Sequence, residues 1–128
     1  QALMEKITVS ATAATGTVNL DAITQGILYY TTDATGNWTL NVRGNSGTTL
    51  NSIMQTGQSI TVVFLATNGA TAYYPTALTI DGSAVTPKWQ LGTAPSSGNV
   101  NSIDSYSYVI VKTGSGTFTV LGSQVQFK

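Results

Sequence analysis

Residues 37–43 read Asn37-Trp38-Thr39-Leu40-Asn41-Val42-Arg43. Apolar and polar residues alternate, so an extended chain places Trp38, Leu40 and Val42 on one face and Asn37, Thr39 and Asn41 on the other. A strand with one apolar face must bury that face against another layer. The neighbouring segments carry the same kind of signal. Leu3 to Ala11 alternates, with Lys6, Thr8 and Ser10 opposite Ile7 and Val9. Thr15 to Leu20 reads as a short second strand. Gly26 to Thr32 runs Ile27-Leu28-Tyr29-Tyr30, an apolar stretch suited to burial on both faces. Gln58 to Thr67 contains Val62-Val63-Phe64-Leu65-Ala66, the longest apolar run, and reads as a central strand.

Two hairpins follow from turn chemistry. Ala77 to Trp89 folds back at Asp81-Gly82, a pair that supplies the positive φ needed by a two-residue turn. Ile103 to Lys112 pairs with Thr117 to Phe127 across Thr113-Gly114-Ser115-Gly116. In the first of these strands Tyr106, Tyr108 and Ile110 share one face, and Ser105 and Ser107 the other. One segment departs from period two. Leu50, Ile53 and Met54 have helical spacing, with Thr48 or Thr49 to cap the turn and Gly57 to end it. Gly92 to Asn101 is the longest loop. Many short β-type segments separated by turns predict one all-β domain over 1–128, with a short N-terminal arm at 1–6. The expected architecture is a two-sheet antiparallel sandwich of roughly eight strands, jelly-roll-like, with one short helical turn. Trp38, Leu40, Val42, Val62, Phe64, Val109, Val111 and Val120 are the expected core.

Composition narrows the function. The 128 residues include five basic and five acidic side chains, no Cys and no His. Disulfides, thiolate nucleophiles and histidine-based catalytic or metal sites are therefore excluded. A single Arg and four scattered Lys do not make a phosphate-binding surface, so no nucleic-acid partner is expected. The longest apolar run is far short of the roughly 18 residues of a membrane-spanning helix, so no membrane partner is expected. No apolar signal region is read in the first residues.

The acids Asp21, Asp33, Asp81 and Asp104 sit where turns, caps and strand starts want them. Neither a close carboxylate pair nor an SxxK pattern, a P-loop, a dinucleotide fingerprint or a calcium-loop spacing occurs. No cofactor, metal or catalytic residue is expected, and the chain reads as a non-enzyme. Asn37-Trp38-Thr39 matches a glycosylation sequon, but in mid-strand.

The remaining candidates for contact are aromatic and amide side chains. Trp38 is assigned to the core. Tyr73-Tyr74-Pro75 lies in a loop or at a strand start, and Trp89 stands beside Lys88. Tyr73, Tyr74, Trp89 and, in the long loop, Asn99 are the candidate ligand-binding residues. Such rings stack on sugars, and flanking Asn, Gln and Thr side chains hydrogen-bond hydroxyls.

Several stretches together carry a family resemblance. They are Ala11-Thr12-Ala13-Ala14-Thr15-Gly16-Thr17-Val18-Asn19-Leu20-Asp21, Leu28-Tyr29-Tyr30-Thr31-Thr32, and Asn37 to Gly44. Pro87-Lys88-Trp89-Gln90, Gly92-Thr93-Ala94-Pro95, Gly98-Asn99 and Thr119-Val120-Leu121-Gly122-Ser123-Gln124 complete them. From Ile7 to Phe127 the chain resembles a small virion structural domain of tailed bacteriophages of the marine and cyanobacterial type, found alone or as a terminal module of tail-fibre-like proteins. The resemblance implies a virion location, other virion proteins as partners and a homo-oligomer, with a trimer favoured. It implies a structural fibre or appendage module. A receptor-binding module for host surface glycan and a capsid decoration protein are the alternatives. It carries over no catalytic residue.

Overall fold

The computed structural model describes residues 2–128. Ten strands form two sheets packed face to face. In chain order they are β1 (Thr8–Ala13), β2 (Gly16–Asp21), β3 (Ile27–Thr32), β4 (Trp38–Arg43), β5 (Ser59–Thr67), β6 (Pro75–Ile80), β7 (Ser83–Val85), β8 (Lys88–Trp89), β9 (Ile103–Gly114) and β10 (Thr117–Phe127). A single helical turn, α1 (Leu50–Ile53), precedes β5, and a 3-10 turn at Gln90–Gly92 follows β8. The six-stranded sheet has the order β1-β3-β5-β9-β10-β8, and the four-stranded sheet β2-β4-β6-β7.

The first six strands alternate between the sheets. Consequently β1, β3 and β5 lie side by side in parallel, and so do β2, β4 and β6. The chain winds three times around the core before the antiparallel pairs β6–β7, β5–β9 and β9–β10 complete the sheets. Both sheets are therefore mixed, and the fully antiparallel, jelly-roll-like arrangement expected from the sequence is not the one observed. The reason lies in the short links. Ala14-Thr15 joins β1 to β2 in two residues, but the link arches from one sheet to the facing one instead of folding back within a sheet. Ala14 and Ala34 are buried inside successive arches. The arches stack on one another, with Thr35 N–H donating to the Ala14 carbonyl (3.0 Å) and Ala34 N–H to the Thr67 carbonyl (2.9 Å). Turn composition signals a reversal, not the sheet that receives the next strand.

Period-two patterning otherwise places the side chains as read. Trp38, Leu40 and Val42 are buried, as are Val62, Phe64 and Val120. β5 is a central strand, with β3 on one side and β9 on the other. Asp81 (φ 53°) and Gly82 (φ 81°) form the two-residue hairpin turn between Ile80 and Ser83. The hairpin ends at Val85, however. Residues Lys88–Trp89 cross to the other sheet and pair in parallel with β10.

Val109 and Val111 are corrections. They lie on the outer face of β9, whose buried face carries Asp104, Tyr106, Tyr108, Ile110 and Lys112. The two charged ends of that inner row are occupied by specific partners. Lys112 Nζ donates to the carbonyls of Asn51 (2.7 Å) and Met54 (2.6 Å), which belong to α1 and its C-cap. The helical turn is capped by Thr49, whose Oγ1 accepts from Ser52 N–H (3.1 Å). The Asp81 carboxylate accepts from Leu50 N–H (2.6 Å) and Asn51 N–H (3.0 Å). One turn of helix is thus pinned across the end of the sandwich by the tips of both hairpins, and Leu50 plugs the core beneath it.

Trp38 connects the layers. Its ring meets Phe64 edge-on (centroids 5.5 Å apart, 80°) and Tyr106 edge-on (5.6 Å, 84°) across the interface. Replacing Trp38 with Ala should therefore lower unfolding free energy by about 3–5 kcal/mol. Urea denaturation followed by circular dichroism would measure this, and a loss below 1 kcal/mol, on the order of an exposed substitution, would contradict the assignment.

Candidate functional site

The sheets part along the edge where β6 and β7 of one face β8 and β10 of the other. Three features of the sequence hold this edge open. Tyr74 immediately precedes β6, and its N–H donates to the Asn37 side-chain oxygen (3.1 Å). The β7–β8 link contains Pro87, and Pro95 sits in the long loop. Pro75, Pro87 and Pro95, the only prolines of the chain, all line the same groove. Proline fixes its own φ, so these walls are stiff.

The groove encloses about 390 Å³ between Tyr74, Trp89 and the three prolines. Its floor is Tyr108, which is 1% exposed. The Trp89 ring lies on Gly122, where an added Cβ would come within 3.0 Å of the indole. Its ring also packs against Tyr108 (centroids 5.8 Å apart, 68°). Glycine at position 122 is what lets the indole rest on β10. On the far side of Trp89 a second groove of about 500 Å³ shares Trp89, Ala94 and Pro95 with the first. Hydroxyls and amides line it, among them Gln90, Ser96, Ser97, Asn99, Ser123 and Gln124. Neither groove has a charged lining residue.

Of the four residues singled out from sequence, the structure brings Tyr74 and Trp89 together. Tyr73 does not join them in the groove. It packs against the core, and its backbone is held by Asn68, which accepts from Tyr73 N–H (3.1 Å) and donates to the Tyr73 carbonyl (3.0 Å). Asn99 lines the second groove, but its side chain is engaged. Its Nδ2 donates to Asp104 Oδ1 (2.8 Å), and its backbone N–H to Asp104 Oδ2 (2.9 Å). The buried Asp104 carboxylate thereby anchors the long loop. Gly98 completes the anchor, because a Cβ there would collide with the Tyr73 carbonyl and the Asn68 amide. Two other acids are similarly employed. Asp21 pairs with Arg43 (2.7 Å), and Asp81 holds α1.

Sequence reading missed Tyr108 and Gln124 as site residues. Tyr108 was legible only as one of an inward-facing row, and nothing local says that this row ends at an opening. Gln124 Nε2 donates to Tyr106 Oη (2.8 Å) and to the Ser97 carbonyl (3.0 Å), tying β10 to the loop. Among the described residues no group of three or more Asp or Glu side chains is placed to hold a metal. The chain matches no known family model, no curated protein and no solved structure.

Burial is the main influence on three phenols of the molecule, Tyr108 at the floor of the groove, Tyr106 beside it on β9, and Tyr30 on β3. Desolvation pushes Tyr106 and Tyr108 well above the ordinary value near 10 and raises Tyr30 as well. The proximity of Asp104 adds to the rise at Tyr106, and the hydrogen bond from Gln124 opposes it. The folded protein keeps these protons at a pH where the unfolded chain releases them. Stability should therefore be unaffected by these groups below pH 10 and should fall as pH rises above it. Urea midpoints collected from neutral to strongly alkaline pH test this, and Tyr108→Phe should flatten the alkaline slope. A slope identical in the variant and the parent would refute the contribution of Tyr108.

Proposed function

We propose that this chain is a non-enzymatic structural module of a bacteriophage particle, held in place by the outer face of its six-stranded sheet. The observation that carries this reading is the contrast between the two outer faces. On the four-stranded sheet the outward side chains satisfy one another. Asn41 Nδ2 donates to Asn19 Oδ1 (3.0 Å), Thr79 Oγ1 donates to Asn41 Oδ1 (2.7 Å), and Arg43 pairs with Asp21. That face is finished as a solvent surface.

The six-stranded sheet presents the opposite chemistry. Register aligns Val9, Tyr29, Leu65, Ser105 and Val125 in one outward row across five strands. Thr61, Val109 and Leu121 make another, and Ile103 and Phe127 a third. The outward positions of β1, β3, β5, β9 and β10 hold no charged residue. Lys88, on the two-residue β8, stands at the rim. Val9, Leu121, Val125 and Phe127 are each 45% or more exposed.

Six strands at ~4.8 Å spacing and a nine-residue central strand give a face on the order of 700 Å² in plan. That approaches the ~800 Å² per partner of a stable interface. The occupant best matched to it is a second copy of the chain. A neutral face of Val, Tyr, Leu, Ser and Thr meets itself without charge repulsion, as a symmetric oligomer requires. The virion assignment draws on the resemblance to tailed-phage structural domains.

Two measurements test this reading. Sedimentation equilibrium should give a discrete homo-oligomer, and Leu65→Lys should convert it to monomer by placing a charge in the centre of the face. Immunogold labelling of purified phage particles with antibody to this chain should decorate the particle, and label position would separate fibre from head. A parent chain that stays monomeric at millimolar concentration, or particles that lack the chain, would overturn the proposal.

A further inference from the structure

We propose that the cleft around Trp89 is a binding site for a neutral glycan, with one sugar ring stacked on the indole and a hydroxyl of that ring bonded to Tyr108 Oη. This goes beyond the assembly role, which uses the outer face of the sheet. Four observations point to it.

The first is the floor. Tyr108 is 1% exposed and lines the Tyr74 groove, and its hydroxyl makes no hydrogen bond with a described residue. That hydroxyl is not sealed in the core, because among the described residues Trp38 Nε1 is the one enclosed side-chain polar atom without a partner. Its remaining surface therefore opens on the groove it lines. An occupant that displaced water from the groove without offering a polar atom there would strand the hydroxyl.

The second observation is the platform. Trp89 is backed by Gly122 and braced by the Tyr108 ring. The indole is thus held before any ligand arrives, which lowers the entropic cost of stacking. Tyr74 supplies a second ring in the same groove.

The third is charge. No acidic or basic side chain lines either groove. A phosphorylated, sulfated or carboxylated ligand would enter without a counter-charge, so the site suits an uncharged one.

The fourth is the second groove. Beyond Trp89, Gln90, Ser96, Ser97 and Ser123 present hydroxyl and amide groups. A chain of sugars, which carries donors and acceptors on every ring, matches that lining. A proline-rich peptide would also suit aromatic walls, but prolines bring no N–H donors and leave these acceptors unmet. The volumes of about 390 and 500 Å³ allow sugar units on both sides of the indole.

The test uses the two indole N–H signals in a nitrogen–proton correlation spectrum of the full chain. Trp38 is buried and Trp89 faces the cleft, so they report separately. Maltotetraose, cellotetraose and tetra-N-acetylchitotetraose are titrated, with sialyllactose and a proline decamer as competitors of other chemistry. At least one neutral tetrasaccharide should shift Trp89 and leave Trp38 unmoved. Tyr108→Phe keeps the ring and removes only the hydroxyl, and should weaken binding about fivefold. Tyr74→Ala should weaken it by a similar factor, about fivefold. Neither change removes an intramolecular hydrogen bond of the side chain, so both variants should fold as the parent does.

The proposal is overturned if none of the three sugars shifts Trp89 at ~10 mM, the upper end of weak specific binding. Tighter binding of sialyllactose or of the proline decamer also overturns it. So does sugar affinity unchanged by Tyr108→Phe. Oligomerisation is read separately by sedimentation, so failure of the assembly proposal is distinguishable from failure here.

Discussion

The contact between Trp38 and the facing sheet is the constraint on which the rest of the molecule depends. The four-stranded sheet is only three long strands and one short one, and its apolar face must be covered. Trp38 reaches across to Phe64 on β5 and Tyr106 on β9, the two central strands of the larger sheet. The same cluster extends through Phe64 to Tyr30 on β3 (5.1 Å, 84°). Edge-to-face packing of this kind adds directional preference to apolar burial, so it fixes how the sheets are set against each other as well as that they meet. The arrangement carries a cost, since Trp38 Nε1 has no partner among the described residues. An unpaired buried donor opposes stability by roughly 1–3 kcal/mol. Ring burial outweighs that cost.

Winding and capping follow from this core. The three parallel turns of chain, β1–β2, β3–β4 and β5–β6, each place one strand in either sheet, so every turn adds to both apolar faces at once. Small residues at the arches, Ala14 and Ala34, let the sheets close at that end. At the opposite end the closure is polar. Lys112 would be an expensive buried cation if unpaired, but it faces the carbonyls of α1 and its C-cap, which lack intrahelical partners. Asp104, at the other end of the same row on β9, takes three donors from Asn99 and Asn68. One strand thus begins and ends its buried face with a charge, and each charge organises an irregular segment, a helical turn in one case and the long loop in the other. The loop in turn forms one wall of the Trp89 cleft, so the Asp104 carboxylate and the Gln124 amide together tie the site to the core.

How much of this was legible in the chain differs from element to element. Trp38, Leu40 and Val42 declared their face by alternation, and Asp81-Gly82 declared its turn as one of the few pairs that tolerate two positive φ values cheaply. Tyr74 and Trp89 were recognisable as aromatic residues in non-core settings. Tyr73 was not distinguishable from Tyr74 by sequence, because adjacent residues before a strand swap roles with a small rotation of the backbone. Asn99 looked free for the same reason that Asp104 looked like a mere strand start. Their mutual hydrogen bonds join a loop to a strand, and that geometry exists only once the chain has folded. Val109 and Val111 illustrate the other limit. Hydrophobicity marked them as core, yet the face of β9 is set by Tyr106 and Tyr108, and the valines fall on the outer, uncharged face.

By itself, then, the sequence determined the all-β class, the main strands, the hairpin turns and the helical turn, and it excluded thiol and imidazole chemistry. These properties depend on near neighbours, through side-chain alternation, turn φ and composition. The tertiary structure alone decided that successive strands arch between sheets and run parallel, and that all three prolines, Tyr74, Trp89 and Tyr108 surround one cleft. It alone decided that one outer face is uncharged and the other a hydrogen-bonded polar ladder. The physical reason is the same in each case. Strand pairing and face assignment minimise the exposure of apolar surface over the whole molecule, and that quantity is not defined for any segment taken alone.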